Sequence, residues 1–223
     1  RNHDPANSRL SPDASVKPPF LTQWWGLPIH DGFWGTTVVA GNGRAHTLWM
    51  GGWPQVRYAM VTRSLANGTP LWERGFAWDP PRDRLSGGYY PGRSCIALEG
   101  DHLYLMLDSA VERLDAETGA TAGKIEGPAP SGQLKWLALE NGLLAVMPGE
   151  TDLYKSSSLQ NQLLNPHGRT LAVYDTRAGD KPLWQETEQG DIDDGEIAVR
   201  DGKLFYHARG ARVAARDLRT GKL

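Results

Sequence analysis

The densest group of chemically competent side chains is Asp191-Ile192-Asp193-Asp194-Gly195-Glu196. Carboxylates at alternate positions beside a glycine can wrap a hard cation such as calcium through oxygen ligands. A complete calcium loop needs more ligands at fixed spacing and a terminal bidentate Glu, which this stretch lacks. It reads better as a solvated acidic loop between two structural units. A second group places three Trp close together, Trp24, Trp25 and Trp34, with Phe33 beside the last. Such aromatics can stack sugars, quinones or bases, but they equally suit the core of a first structural unit or its contact with a neighbour, and this reading is favoured. A third group, Trp78, Arg82, Arg84, Tyr89, Tyr90 and Arg93, lies in a long Pro/Gly-rich stretch suited to a binding loop. It shows no catalytic arrangement.

Other chemistries lack their residues. The six histidines, His3, His30, His46, His102, His167 and His207, show no metal-ligand spacing and no Ser or Asp partner in a nucleophile motif. The single Cys95 excludes an intrachain disulfide and a thiolate zinc cluster, and it reads as a small buried residue opening a strand. Gly41-Asn42-Gly43 is a tight turn rather than a phosphate loop, and no Cys-x-x-Cys-His haem motif occurs. No catalytic, cofactor-binding or metal-ligating residue is therefore assigned. The 24 basic residues nearly balance the 26 acidic ones, without the basic stripe of a nucleic-acid binder. No apolar run reaches the length of a membrane-spanning helix.

The elements around these groups are short strands and turns. The chain carries 26 Gly and 9 Trp in 223 residues and little helical periodicity, a composition suited to an all-β fold. One motif recurs, a polar residue followed four positions later by Gly. Its copies are Ser64-Leu65-Ala66-Asn67-Gly68, Asp115-Ala116-Glu117-Thr118-Gly119, Asp175-Thr176-Arg177-Ala178-Gly179 and Asp217-Leu218-Arg219-Thr220-Gly221. Asp can bond its own backbone two residues on, and Gly takes positive φ without steric cost. Trp72 and Trp184 follow two copies, and each is large enough to fill a gap between neighbouring units. A smaller turn and an apolar strand precede each copy, as in Asn141-Gly142 and Leu143 to Met147. The repeat length is uneven, roughly 40–60 residues, as expected of propeller blades with loop insertions.

The stretch Leu204-Phe205-Tyr206 through Val213-Ala214-Ala215-Arg216-Asp217-Leu218-Arg219-Thr220-Gly221 resembles the repeat of the pyrroloquinoline-quinone-like (PQQ-like, quinoprotein alcohol dehydrogenase-like) β-propellers. That repeat runs Ala-x-Asp-x-x-Thr-Gly-x-x-x-Trp. The last copy matches at Ala215, Asp217, Thr220 and Gly221. The second keeps Asp115, Thr118 and Gly119 without the Trp, the third has Trp184 shifted by one residue, and the first keeps Gly68 and Trp72. The resemblance implies about four antiparallel four-stranded blades of a larger ring of about seven or eight. The family contains quinoprotein alcohol and glucose dehydrogenases, which bind quinone and calcium on the ring axis, together with non-enzymatic scaffolds. Methanol-dehydrogenase-type members also carry a disulfide of adjacent cysteines, for which this chain lacks the residues.

The resulting expectation is a flexible lead-in over 1–19 and a partial propeller over 20–223. Blades are expected near 34–80, 93–128, 134–188 and 195–223, with insertions near 73–95 and 148–170. Residues 154–164 are expected to form a serine-rich loop. Both chain ends read as excerpt boundaries. The expected function is a non-enzymatic scaffold or binding module of a larger exported bacterial protein, periplasmic or extracellular. Its expected partners are the neighbouring blades or domains, or another protein. No cofactor is expected within this segment. The alternative is part of a PQQ- and calcium-dependent alcohol or sugar dehydrogenase, and a carbohydrate-binding surface is a third reading.

Overall fold

A computed structural model describes residues 34–51, 57–76, 95–128, 134–149, 167–211 and 213–223. All regular structure among them is β. The first sheet runs in chain order through β1 (Trp34–Gly41), β2 (Arg44–Gly51), β3 (Arg57–Ser64) and β4 (Pro70–Phe76). The second contains β5 (Ile96–Glu99), β6 (His102–Leu107), β7 (Ala110–Asp115) and β8 (Thr121–Glu126). The remaining strands are β9 (Leu134–Glu140), β10 (Leu143–Pro148), β11 (His167–Asp175), β12 (Trp184–Arg200), β13 (Lys203–Ala208) and β14 (Val213–Asp217). They form one six-stranded antiparallel sheet because β12 serves two blades. Its first part pairs with β11 as the outer strand of blade three, and its last part pairs with β13 as the inner strand of blade four. The expected insertions begin later and end earlier than their outer bounds, since 73–76 belong to β4 and 167–170 to β11.

The inner strands meet in chain order: β1 contacts β5, β5 contacts β9, and β9 contacts β12. Meanders arranged this way radiate from one side and stack face to face. The sequence pattern follows from that stacking. Blade three lies between two others, so both faces of β9 and β10 are buried, and their sequences are almost continuously apolar. Blade four has one covered face, so β13 and β14 alternate between covered and exposed positions. One hydrophobic core joins blades one to three and a second joins blades three and four.

The recurrent turn is built as its chemistry requires. Asp115 Oδ1 accepts from the Thr118 amide at 2.7 Å and the Thr118 hydroxyl at 2.8 Å. Asp217 does the same with Thr220 at 2.8 and 2.7 Å. The hydroxyl bonds, then the amide bonds, hold both carboxyls below their ordinary pKa. Gly119 and Gly221 sit at φ 74° and 71°, and a Cβ on either would meet a Trp ring at 2.8 Å. Those rings belong to the preceding blade. Trp72 Nε1 donates to the Ala116 carbonyl at 3.2 Å, and Trp184 Nε1 to the Leu218 carbonyl at 2.8 Å. The one-residue shift of Trp184 reflects a longer turn, in which the Ala178 amide bonds the Asp175 carbonyl and Gly179 adopts φ 110°. Trp184 still lies opposite Val173, as Trp72 lies opposite Thr62.

Blade two lacks the Trp, and its substitute comes from the adjacent strand. Gly123 stands at the Trp position, directly opposite Arg113. A Cβ on Gly123 would lie 3.2 Å from the Arg113 guanidinium. That guanidinium donates to the Thr176 carbonyl at 3.2 Å. Thr176 follows Asp175 as Ala116 follows Asp115, so arginine reaches the carbonyl that an indole reaches elsewhere.

Candidate functional site

The acidic cluster is not a loop. Residues 191–196 lie inside β12, where it passes from blade three to blade four. Pairing with β11 on one side and β13 on the other supplies the ladder that their composition does not favour. The strand then separates the carboxylates. Asp191 accepts from Arg169 Nε at 2.8 Å, Asp193 Oδ1 accepts from the Gly195 amide at 2.8 Å, and Glu196 pairs with His207 Nδ1 at 3.1 Å. Asp194 is buried, 3% exposed. These residues do not fit a calcium site. Among the described residues no three His, Cys, Asp or Glu side chains converge to hold a cation. Lys135, 5% exposed, is another buried charge on an inner strand, and its stem packs where a Cβ of Gly149 would stand.

Two polar devices at the blade junctions were not foreseen. The first is a carboxylate clamp at the end of the inner strand. Glu99 accepts the Gly142 amide at 2.9 Å, and Glu140 accepts the amides of Asp201 and Gly202 at 3.0 and 2.7 Å. Each clamp holds the inner turn of the next blade. The second joins Glu188 to Tyr206 and Arg216 across blades three and four. Tyr206 donates its hydroxyl to Glu188, while Arg216 donates to Tyr206 Oη at 2.7 Å and to Glu188 at 2.9 Å. Burial, then the bond to Glu188, pushes the Tyr206 hydroxyl up to about 12. Burial alone would raise the Glu188 carboxyl, but the bonds from Tyr206 and Arg216 bring it below its ordinary value. The signal for the clamp was a Glu at the same place in two repeats, Glu99 and Glu140, visible only once the repeats are aligned by their inner turns.

The described histidines lie on different strands. His46 is buried, with Nδ1 2.7 Å from Thr62 Oγ1, and burial followed by the Arg44 charge lowers its pKa to about 4. His102 opens β6, His167 opens β11, and His207 pairs with Glu196. Cys95 is buried immediately before β5. Trp24, Trp25, Phe33, Trp78, Arg82, Arg84, Tyr89, Tyr90 and Arg93 lie outside the described residues, as do His3, His30, the 1–19 lead-in and the 154–164 loop. Trp34 opens β1.

No family model matches the chain, and no curated protein matches it. Solved structures do. BamB from Moraxella catarrhalis aligns at TM-score 0.51 and 16% identity, over 84% of this chain and 47% of that one. A europium-containing methanol dehydrogenase aligns at 0.55 and 13%, over 83% and 40%. The fold is a partial β-propeller. A quinohemoprotein alcohol dehydrogenase from Comamonas testosteroni aligns at 0.53 and 15%, over 84% of this chain and 33% of that one. This chain thus spans less than half of each of these structures. The propeller is shared across a scoreable but low level of identity, so the likeness speaks to fold. Among the described residues no helix is long and apolar enough to cross a membrane.

Proposed function

We propose that this chain is a non-enzymatic PQQ-like propeller scaffold, a binding module of a larger exported bacterial protein whose ring contains further blades. One observation carries the reading: the signature residues of the repeat are engaged in blade stacking. Trp72 and Trp184, and Arg113 in place of the missing Trp, each donate to the equivalent carbonyl of the following blade, that of Ala116, Leu218 and Thr176 respectively. The glutamates at the inner turns hold the next blade, and the acidic stretch of β12 pairs with its own neighbours. Their arrangement produces a rigid stack that presents loops and faces, the property on which a binding module depends.

The second reading is part of a quinoprotein dehydrogenase, since two of the structures that share the fold are dehydrogenases. Fold alone does not carry the reaction. The readings separate on the full-length gene product, incubated with PQQ and calcium and assayed for dye reduction by primary alcohols and aldoses. The scaffold reading expects no turnover above the quinone-only control. Quinone-dependent turnover would overturn it. Export, which rests on the family resemblance, is checked by fractionating the source cells, and a cytoplasmic location would refute it.

A further inference from the structure

Blade four leaves open a face whose counterpart is covered in every other blade. In blade one that face carries His46, Leu48, Met60 and Thr62, all buried against blade two. In blade two it carries Tyr104, Met106 and Val111, and in blade three Ala145, Met147 and Val173, again buried. Strand register assigns Phe205, His207, Val213 and Ala215 to the same positions of blade four. There Phe205 is 38% and Val213 72% exposed.

The charges at the turn end of this face have a precedent at the junction of blades one and two. Arg44, the first residue of β2, donates to Glu117 at 3.0 Å in the Asp–Gly turn of blade two. Asn42, in the inner turn, donates to the Gly100 carbonyl at 2.8 Å and to Asp101 at 3.3 Å. In blade four the first residue of β13 is Lys203, a cation like Arg44. The residue ending its inner strand is Arg200, where blades two and three have Glu99 and Glu140. Arginine has only donors, so the carboxylate clamp of those two junctions cannot form here. Arg200 Nε donates to Asp201 of its own turn at 3.2 Å, and its remaining guanidinium N–H groups can donate to an acceptor on the next turn, as Asn42 does to the turn of blade two.

We propose that this face receives a further propeller blade with acidic turns. One carboxylate, at the position of Glu117, meets Lys203. A carbonyl or carboxylate, at the positions of Gly100 and Asp101, meets Arg200. The occupant follows from continuity with three junctions of one plan and from charge complementarity. A second copy stacking head to tail is a poorer match, because Ala59 and Val61 on the opposite face of blade one are already buried. The inference rests on the ring reading above but not on the absence of catalysis, since a dehydrogenase ring would cover the same face.

The test is thiol labelling of the purified full-length gene product. Val213→Cys reports the face, and Asp180→Cys, at an exposed bend of blade three, is the reference. Cys95 is buried and gives no fast phase. The proposal expects Val213→Cys to react at least about tenfold more slowly than Asp180→Cys, at any protein concentration. It also expects Lys203→Glu to accelerate that reaction, and Lys203→Arg to leave it unchanged. Equal rates at the two cysteines would overturn the proposal whatever the dye assay shows. A slow rate that is indifferent to Lys203→Glu would overturn the acidic partner while leaving the ring intact.

Discussion

Arg113 and Gly123 show the stacking logic at the scale of single residues. A large group must reach one carbonyl of the next blade, and the space above the ladder admits it from either of two facing positions. Blades one and three place Trp on the outer strand opposite Thr62 or Val173, and blade two reverses the sizes. Arg113→Ala should therefore destabilise by about 1–3 kcal/mol, through the lost donor and the lost stem packing. Gly123→Trp alone should also destabilise, because the indole and the guanidinium claim one space. Gly123→Trp with Arg113→Thr should recover most of the loss. Urea unfolding of the unmodified chain, Gly123→Trp, Arg113→Thr and the double variant measures this, and a double variant no better than the sum of its parts would contradict it. His46 adds a pH dependence. Its pKa lies near 4 in the folded chain against 6.5 unfolded. The unfolded state thus binds the proton first, and this contribution to stability is complete above about pH 6.5 and fades as pH falls toward about 4. The melting temperature should drop across that window, and His46→Gln should flatten the drop. The Trp roles were legible in the sequence because the motif runs along the chain. The Arg113 substitution was not, because its partner lies across the ladder.

At the scale of elements, β12 decides how blades three and four join. A run of Asp and Gly reads as a loop because both residues have low strand preference. Here the strand continues because its neighbours complete its hydrogen bonds, with register shifts where it changes partner. Gly190 and Gly168 mark the crossing. A Cβ on Gly190 would stand 2.0 Å from the Arg209 carbonyl oxygen, and one on Gly168 2.1 Å from that of Pro148. Backbone cannot yield as a side chain can, so Gly190→Ala should cost about 1–3 kcal/mol, against less than about 1 kcal/mol at Gly41, where a Cβ would meet only the end of the Leu98 side chain. Thermal melts of Gly190→Ala and Gly41→Ala compare the two, and similar midpoints would argue against a close-packed crossing. The turns, in contrast, were readable at once. Their Asp, Thr and Gly residues act within a few positions of each other, where spacing along the chain equals spacing in space.

At the scale of the molecule, the repeat and the all-β composition disclosed the propeller, while the acidic cluster, the candidate group that lies among the described residues, is strung along a strand. Fold is written into every blade, through alternation, turns and the residues that stack one blade on the next. A ligand site on a ring axis needs side chains from several blades at one level, and no single repeat spells that convergence. The acidic cluster illustrates the difference: it is local in sequence, and the strand turns its members toward different neighbours. The two cores share blade three, so blades one to four should unfold together, with fluorescence and far-UV signals falling in one transition. The scaffold reading is tested most directly by equilibrium dialysis of PQQ against the full-length gene product with calcium present, followed by quinone absorbance. The account predicts equal quinone on both sides of the membrane. Retention of one quinone per protein chain would contradict it.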